Sequence, residues 1–369
     1  MSAPVGVGVV GTGVISDEYL RNLTAFPDVR VRAVADLDPE RAAARAIRHG
    51  VPRSSTVEEL LADPDIGIVV NLTVPAAHVA VSRAAVEAGK HVWVEKPLGL
   101  DLRGTRDLLD LAARRGLRVA CAPDTLLGAG WQTARRAVDA GRIGEPRTAL
   151  ALFQTPGPES WHPAPEFLFQ AGGGPLLDMG PYYLTGLVHL LGPISRVTAT
   201  GGRARDTRVI GSGPRAGVEF AVTVPTTVTA LVEFERGGTA QAVFSFDSAL
   251  SRTGFVEVAG TLGTAVLPDP NGFGGATAVH LFDGVQTLAP QGHQATRGTG
   301  VLELARAIRA GEPERASGEL AYHVLDAMLA VERSIGSGRA VDVGSTVEPP
   351  PALPVDWDPT ATTLSRAGR

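Results

Sequence analysis

The chain has 369 residues, 44% of them hydrophobic, and carries 34 Lys and Arg against 39 Asp and Glu, a formal net charge of -5. That balance excludes a partner held by bulk positive charge, so no nucleic acid is expected, and no apolar run approaches the roughly 20 residues of a membrane span. A single cysteine excludes an intrachain disulfide and a cysteine-cluster metal site, which fits a reducing cytoplasm, while the length favours two domains.

The first stretch, Val5 to Ser16, reads as strand, tight turn and helix start. Val5, Val7, Val9 and Val10 form a β-branched run suited to a buried parallel strand. Gly11, Gly13 and Ser16 fill a GxGxxG pattern with a substituted third position. Two glycines let the backbone turn and approach a pyrophosphate, and the third position needs only a small residue. Thr12, Val14 and Ile15 lie on the same turn and share the candidate cofactor site. The apolar start lacks the basic flank of a signal peptide and is broken by these glycines. A helix over Ile15–Phe26 and a strand Val29–Ala35 ending in Asp36 complete the context. A carboxylate at that strand end accepts hydrogen bonds from ribose hydroxyls and repels a 2′-phosphate, so NAD is expected over NADP.

Helices are expected at Pro39–His49 and Val57–Leu61, and a third strand at Ile66–Leu72. A helix Pro75–Ala88 closed by Gly89, a strand His91–Val94, a helix Thr105–Arg115 closed by Gly116 and a strand Leu117–Cys121 follow. This alternation is a doubly wound parallel sheet, with ligands at the carboxyl ends of its strands. Near residue 145 the pattern changes. Arg147–Gln154 reads as a strand, and the loop PGPESWHPAPEF is too long for a mere connector, so it is a candidate substrate loop. A glycine run, Gly172 to Gly174, precedes a helix Pro175–Leu191. From Ile194 to about Leu288 the chain reads as strands, with hairpins across Gly237-Gly238 and within FVEVAGTLGTAVLPD. Helices return at Gly300–Arg309 and Leu320–Ser334, and the proline-rich end reads as an extended arm or a disordered tail. The expected blocks are 1–122, a dinucleotide-binding domain; 123–348, an α/β domain with a large, mostly antiparallel open sheet, whose helices 300–336 are candidates to pack back on the first; and the tail 349–369.

These motifs resemble those of the glucose-fructose oxidoreductase, inositol dehydrogenase and MocA (Gfo/Idh/MocA) family. The matching elements are GVVGTGVIS, Asp36, NLTVPAAH at Asn71 to His78, VWVEKPLG at Val92 to Gly99, and GGGPLLDMGPYYL at Gly172 to Leu184. The resemblance implies a Rossmann domain followed by an α/β domain, and nicotinamide-dependent oxidation or reduction of sugars, polyols or related secondary alcohols. It also implies that Thr73, Pro75, His78, Glu95 and Lys96 border the cofactor.

Oxidising a secondary alcohol removes a hydride from carbon and a proton from oxygen, so a cationic donor on that oxygen favours the developing alkoxide. Lys96, directly after a strand, suits this role. Asp178 and Tyr182 are four apart in one expected helix and share a face. Many family members have histidine where Tyr182 stands; the resemblance to a tyrosine-containing branch implies that Tyr182 is the acid/base. A phenol with an ordinary pKa near 10 needs a nearby lysine cation for that. Trp161 and His162 in the long loop, and Tyr183, are candidate substrate contacts. Asp124, in CAPDTLLG, departs from the family's usual sequence. No metal is expected, since no cluster has ligand spacing. The apolar alternation of the second sheet, with the resemblance, points to a homodimer or homotetramer. Three other functions fit the same features: an NAD-dependent glycoside hydrolase, a dihydrodiol-type dehydrogenase, and a non-catalytic sugar or NAD sensor.

Overall fold

The computed structural model describes residues 3–363. Two compact units emerge. One comprises the chain through Gly128, Gly292–Tyr322 and the chain from Leu353; the other comprises Ala129–Gln291 and His323–Ala352. The chain therefore passes between the units several times, where the sequence suggested consecutive blocks.

The first unit contains β1 (Val5–Val10), α1 (Ser16–Leu23), β2 (Val29–Ala35), α2 (Pro39–His49), β3 (Ser54–Ser55), α3 (Val57–Ala62), β4 (Ile68–Asn71), α4 (His78–Glu87), β5 (His91–Val94), α5 (Leu102–Arg114) and β6 (Val119–Cys121). Among the described residues its sheet has six strands in the order β3-β2-β1-β4-β5-β6, all parallel. Alternate residues feed two apolar layers: Val7, Val9, Val70 and Trp93 join one, and Val10, Val69, Val92 and Val94 the other. That is why these strands read as nearly continuous hydrophobic runs. Helix ends follow local chemistry. Asp38 and Asp101 cap α2 and α5 through their carboxylates, Thr56 and Glu59 form a capping box on α3, and Gly50 closes α2 at φ 64°. The Asp101 cap starts α5 earlier than the expected Thr105. Likewise α1 is shorter than Ile15–Phe26, because Gly13 to Ile15 remain in the turn.

In the second unit α6 (Ala129–Asp139), which the sequence reading lacked, precedes β7 (Pro146–Gln154), α7 (Gly174–Leu191), β8 (Ile194–Gly202), β9 (Thr207–Val209), β10 (Glu219–Ala221), β11 (Thr227–Phe234), β12 (Thr239–Ser245), β13 (Arg252–Gly260), β14 (Gly263–Leu267), β15 (Thr277–Leu281) and β16 (Gly284–Leu288). Then α8 (Thr299–Ala310) belongs to the first unit, α9 (Gly318–Ser337) starts there and continues into the second, and β17 (Val341–Asp342) ends the series. The large sheet runs β16-β15-β14-β13-β7-β12-β11-β8-β17, antiparallel except where β7 meets β12. Its buried face alternates along each strand, with Ala149, Ala151 and Phe153 on β7 and Ala240, Ala242 and Phe244 on β12. Small residues there give α7 room, and Gly186 on α7 meets Trp131 so closely that a Cβ would stand 2.5 Å from the indole.

The proline-rich end is an ordered arm through Thr363. Trp357 lies under the Arg306 guanidinium, 4.8 Å from it. Arg306 also donates to the carbonyls of Asp358 and Ala361, and Thr363 donates to Asp28. Residues of the tail beyond Thr363 lie outside the described part. No helix of the described residues is long and apolar enough to cross a membrane.

Candidate active site

In the first unit the carboxyl ends of β1, β2, β4, β5 and β6 share one sheet edge, and the expected cofactor residues lie along it. Gly11 has φ 96°, and a Cβ there would sit 2.6 Å from the Leu72 carbonyl oxygen, so backbone geometry requires glycine. At Gly13 no protein atom lies within 4 Å of a built Cβ, so packing does not require it. That open space beside the turn is compatible with the close approach of a pyrophosphate. Ser16, buried, donates through Oγ to the Gly13 carbonyl at 2.6 Å, while Val14 is exposed and Ile15 half-buried.

Asp36 stands at the end of β2 with its side chain 6% exposed. Its Oδ2 accepts the Thr12 N–H at 2.6 Å and the Thr12 hydroxyl at 2.7 Å. Its Oδ1 accepts the Asp38 N–H at 3.0 Å and Arg41 Nη2 at 2.5 Å. Burial alone would raise this carboxyl, but the bonds from Arg41, Asp38 and Thr12 outweigh it and hold the group well below the ordinary range. Asn71, fully buried as the last residue of β4, shapes the next loop: Oδ1 accepts the Thr73 N–H and hydroxyl, and Nδ2 donates to the His78 carbonyl and Ser82. Thr73 and Pro75 are half-buried on that loop. His78 is buried, its Nδ1 2.7 Å from the Pro97 carbonyl and its Nε2 3.0 Å from the Thr73 carbonyl. Its ring thus bridges the loops after β4 and β5. Burial lowers its pKa against the pull of those carbonyls.

Glu95 and Lys96 follow β5 directly. Glu95, 8% exposed, accepts the Lys96 N–H on Oε2 at 3.0 Å and the Tyr19 hydroxyl on Oε1 at 2.7 Å. Trp93 Nε1 donates to Tyr19 Oη at 3.1 Å. After β6, Asp124 is fully buried and accepts the N–H groups of Gly298 and Gly300 on Oδ2. Burial, only partly offset by Arg297, raises this carboxyl to about 6.

In the second unit Asp178 and Tyr182 lie one turn apart on α7, Asp178 half-buried and Tyr182 6% exposed. Tyr183 is a correction to the sequence reading. One residue on, it is rotated about 100°, fully buried against Phe153 and Phe244, and its hydroxyl accepts the Gly254 N–H at 2.8 Å. It is a core residue. The long loop is anchored by Arg208, which pairs with Glu159 and Asp247 and donates to the carbonyls of Pro156 and Phe246. On it Trp161 is 66% exposed and stands edge-on to His162, centroids 5.5 Å apart. Among the described residues no group of three or more His, Cys, Asp or Glu side chains is placed to hold a metal ion.

Residues 5–122 match the model of the oxidoreductase family with an NAD-binding Rossmann fold, and residues 131–266 match the GFO/IDH/MocA C-terminal domain. Trans-1,2-dihydrobenzene-1,2-diol dehydrogenase of Bos taurus is 31% identical over 266 residues, 71% of this chain and 74% of the relative. The chain belongs to the Gfo/Idh/MocA family of oxidoreductases. Another Gfo/Idh/MocA-like relative, 1,5-anhydro-D-fructose reductase of Ensifer adhaerens, is 29% identical over 70% of this chain and 74% of its own. Levoglucosan dehydrogenase, solved in complex with NADH and L-sorbose, shares the fold with a TM-score of 0.82 at 22% identity, over 92% of this chain and 99% of that one. The Gfo/Idh/MocA motifs led to the glycine turn, Asp36 and Lys96; they contain Asn71 and Trp93 without giving them a role, and Tyr19 lies outside them, although all three hold the motifs in place. A buried polar residue in an otherwise apolar stretch, such as Asn71 at the end of IGIVVNL, was the only local signal.

Proposed function

We propose that the chain is an NAD-dependent dehydrogenase of a secondary alcohol on a sugar or polyol, or the matching reductase in the reverse direction. The observation that carries this reading is Lys96 emerging from β5 behind a glutamate held at both oxygens, on the sheet edge that also bears the glycine turn and Asp36. Gly11 and Gly13 would admit the pyrophosphate, the N-terminal end of α1 would meet its charge, and Asp36 would accept the ribose hydroxyls. Bound there, the dinucleotide supplies or accepts the hydride. Lys96 holds the reacting oxygen and stabilises its alkoxide character. Tyr182 takes or returns the proton, and Asp178, one turn before it, orients the hydroxyl. Trp161 and His162 offer a ring contact for the substrate.

The sugar-acting relatives support a cyclic sugar or polyol. The dihydrodiol dehydrogenase, at 31% identity, supports a second reading in which the substrate is a non-sugar vicinal diol. Placement in the cytoplasm and assembly as a homodimer or homotetramer complete the proposal. The test is a screen of aldoses, inositols, anhydrosugars, glycosides and trans-dihydrodiols, following NADH absorbance. Steady NADH release with a free sugar or polyol supports the main reading; release only with dihydrodiols selects the second. Cleavage of a glycoside with no net NADH would instead identify a hydrolase that regenerates its NAD.

A further inference from the structure

A relay of buried hydrogen bonds runs beneath Lys96, and its members come from distant parts of the chain. Tyr19 lies on α1, the helix that starts at the glycine turn, Trp93 lies near the end of β5, and Glu95 follows that strand directly. Tyr19 and Trp93 are 0% exposed. The direction of the relay is set by chemistry: the indole N–H can only donate, so it occupies a lone pair of the Tyr19 oxygen, and the phenol proton is left for Glu95 Oε1. The other oxygen, Oε2, is taken by the Lys96 N–H. A carboxylate that accepts a hydrogen bond on each oxygen is restrained in rotation, and its backbone donor is the residue whose ammonium matters. Trp93 is itself fixed, since Gly300 is so close that a Cβ there would stand 2.0 Å from the indole ring.

We propose that Tyr19, braced by Trp93, is a positioning residue that acts through Glu95 to set the backbone of Lys96. The inference rests on the role assigned to Lys96 above. Burial and the Glu95 charge raise the phenol well above its ordinary pKa, so Tyr19 stays a donor through the working range and does not itself exchange protons with substrate. The Tyr19 hydroxyl bonds neither Gly11, Gly13 nor Asp36, so its removal should act on turnover far more than on dinucleotide affinity.

The experiment compares Tyr19→Phe, Glu95→Gln, their double variant and Lys96→Met, measuring kcat on the best substrate of the screen and the NAD dissociation constant by fluorescence titration. Tyr19→Phe should lower kcat about tenfold, the kinetic equivalent of one hydrogen bond to a charged group, with NAD affinity within about twofold. The double variant should turn over no more slowly than Glu95→Gln alone, because both changes cut the same relay. Wild-type kcat in Tyr19→Phe, or losses that multiply in the double variant, would overturn the proposal while an inactive Lys96→Met left the main reading standing. A parallel fall in kcat and NAD affinity would overturn it too, as the mark of a general structural role. Near-normal turnover in Lys96→Met would overturn both. Should Tyr19→Phe fail to fold, Trp93→Phe, which removes the indole donor to the Tyr19 oxygen, carries the test: a lowered kcat with NAD affinity within about twofold supports the proposal, and an unchanged kcat overturns it.

Discussion

In the proposed reading Lys96 and Asp36 meet the same ligand with opposite charges, and their tasks separate in energy. The proposed role of Lys96 is on charge that develops during reaction, so replacing it should cost transition-state stabilisation and little ground-state binding. Lys96→Met is expected to lose on the order of 3 kcal/mol, at least a hundredfold in turnover, with NAD binding largely intact. Loss of NAD affinity alone would show that the residue lies along the pyrophosphate instead. Asp36 acts on binding. Hydrogen bonds to a charged acceptor contribute about 1.5 to 3 kcal/mol, and repulsion of a 2′-phosphate adds roughly 1 kcal/mol at a partly exposed site, so NAD should be preferred by about a hundredfold or more. Arg41 already pairs with Asp36 at 2.5 Å, so a phosphate would have to compete with the carboxylate for it. Leu37 is 98% exposed, so Asp36→Ser with Leu37→Arg places a free cation there and should narrow or reverse the preference. The ratio of kcat/KM for NAD and NADP decides; a wild-type value near one would mean that Arg41 leaves Asp36 for the phosphate.

At the scale of elements, α8 begins on a buried carboxylate. Asp124 accepts the N–H groups of Gly298 and Gly300 at the start of this helix, yet its pKa is raised to about 6 because burial outweighs those bonds and the Arg297 charge. An unfolded aspartate titrates near 3.9. Between these values the folded state holds the extra proton, so stability falls as pH rises through about 4 to 6 and is lower by about 3 kcal/mol above that window. Asp124→Asn keeps an oxygen for the two N–H groups and removes the charge. Its stability relative to wild type should therefore rise by about that amount between pH 4 and pH 8 in urea unfolding; a difference flat with pH would show that the carboxyl titrates normally. The same helix shows where sequence reading ends. Periodicity and glycine ends revealed α2, α4, β5 and α8 to within a few residues, because their apolar faces repeat locally. Helix α6 was missed: it follows Gly128 and carries Gly130, where a Cβ would stand 2.2 Å from the Gly274 carbonyl. Its glycine answers a contact 144 residues away, which no local pattern holds. Helical spacing puts Tyr182 on the face of Asp178, but that Tyr183 is buried in the core depends on strands far along the chain, and the Tyr19 to Glu95 bond joins residues 76 apart.

For the whole molecule, the outer face of the large sheet is the feature that a solitary chain leaves unexplained. Opposite the buried alanines and phenylalanines, one row runs Thr229, Val243, Leu152, Phe255 across four paired strands, and the next runs Leu231, Gln241, Leu150, Glu257. Leu231 is 55% exposed, and Leu150, Leu152, Val243 and Phe255 are half-buried. Strands about 4.8 Å apart make a nine-stranded face roughly 38 Å wide and about 20 Å long, near 800 Å², which is what each partner contributes to a stable interface. A sheet face also pairs readily with its own copy about a twofold axis, since each row meets the same row reversed. The expected state is therefore a dimer, or a tetramer built from dimers, at micromolar concentration. Leu231→Lys with Leu150→Lys sets like charges on both copies of the face without touching the buried alanines, so it should yield a folded monomer with unchanged secondary structure by circular dichroism. Light scattering on both proteins decides the matter. A monomeric wild type would mean that this face stays in solvent, and a variant that still assembles would move the interface to another surface of the chain.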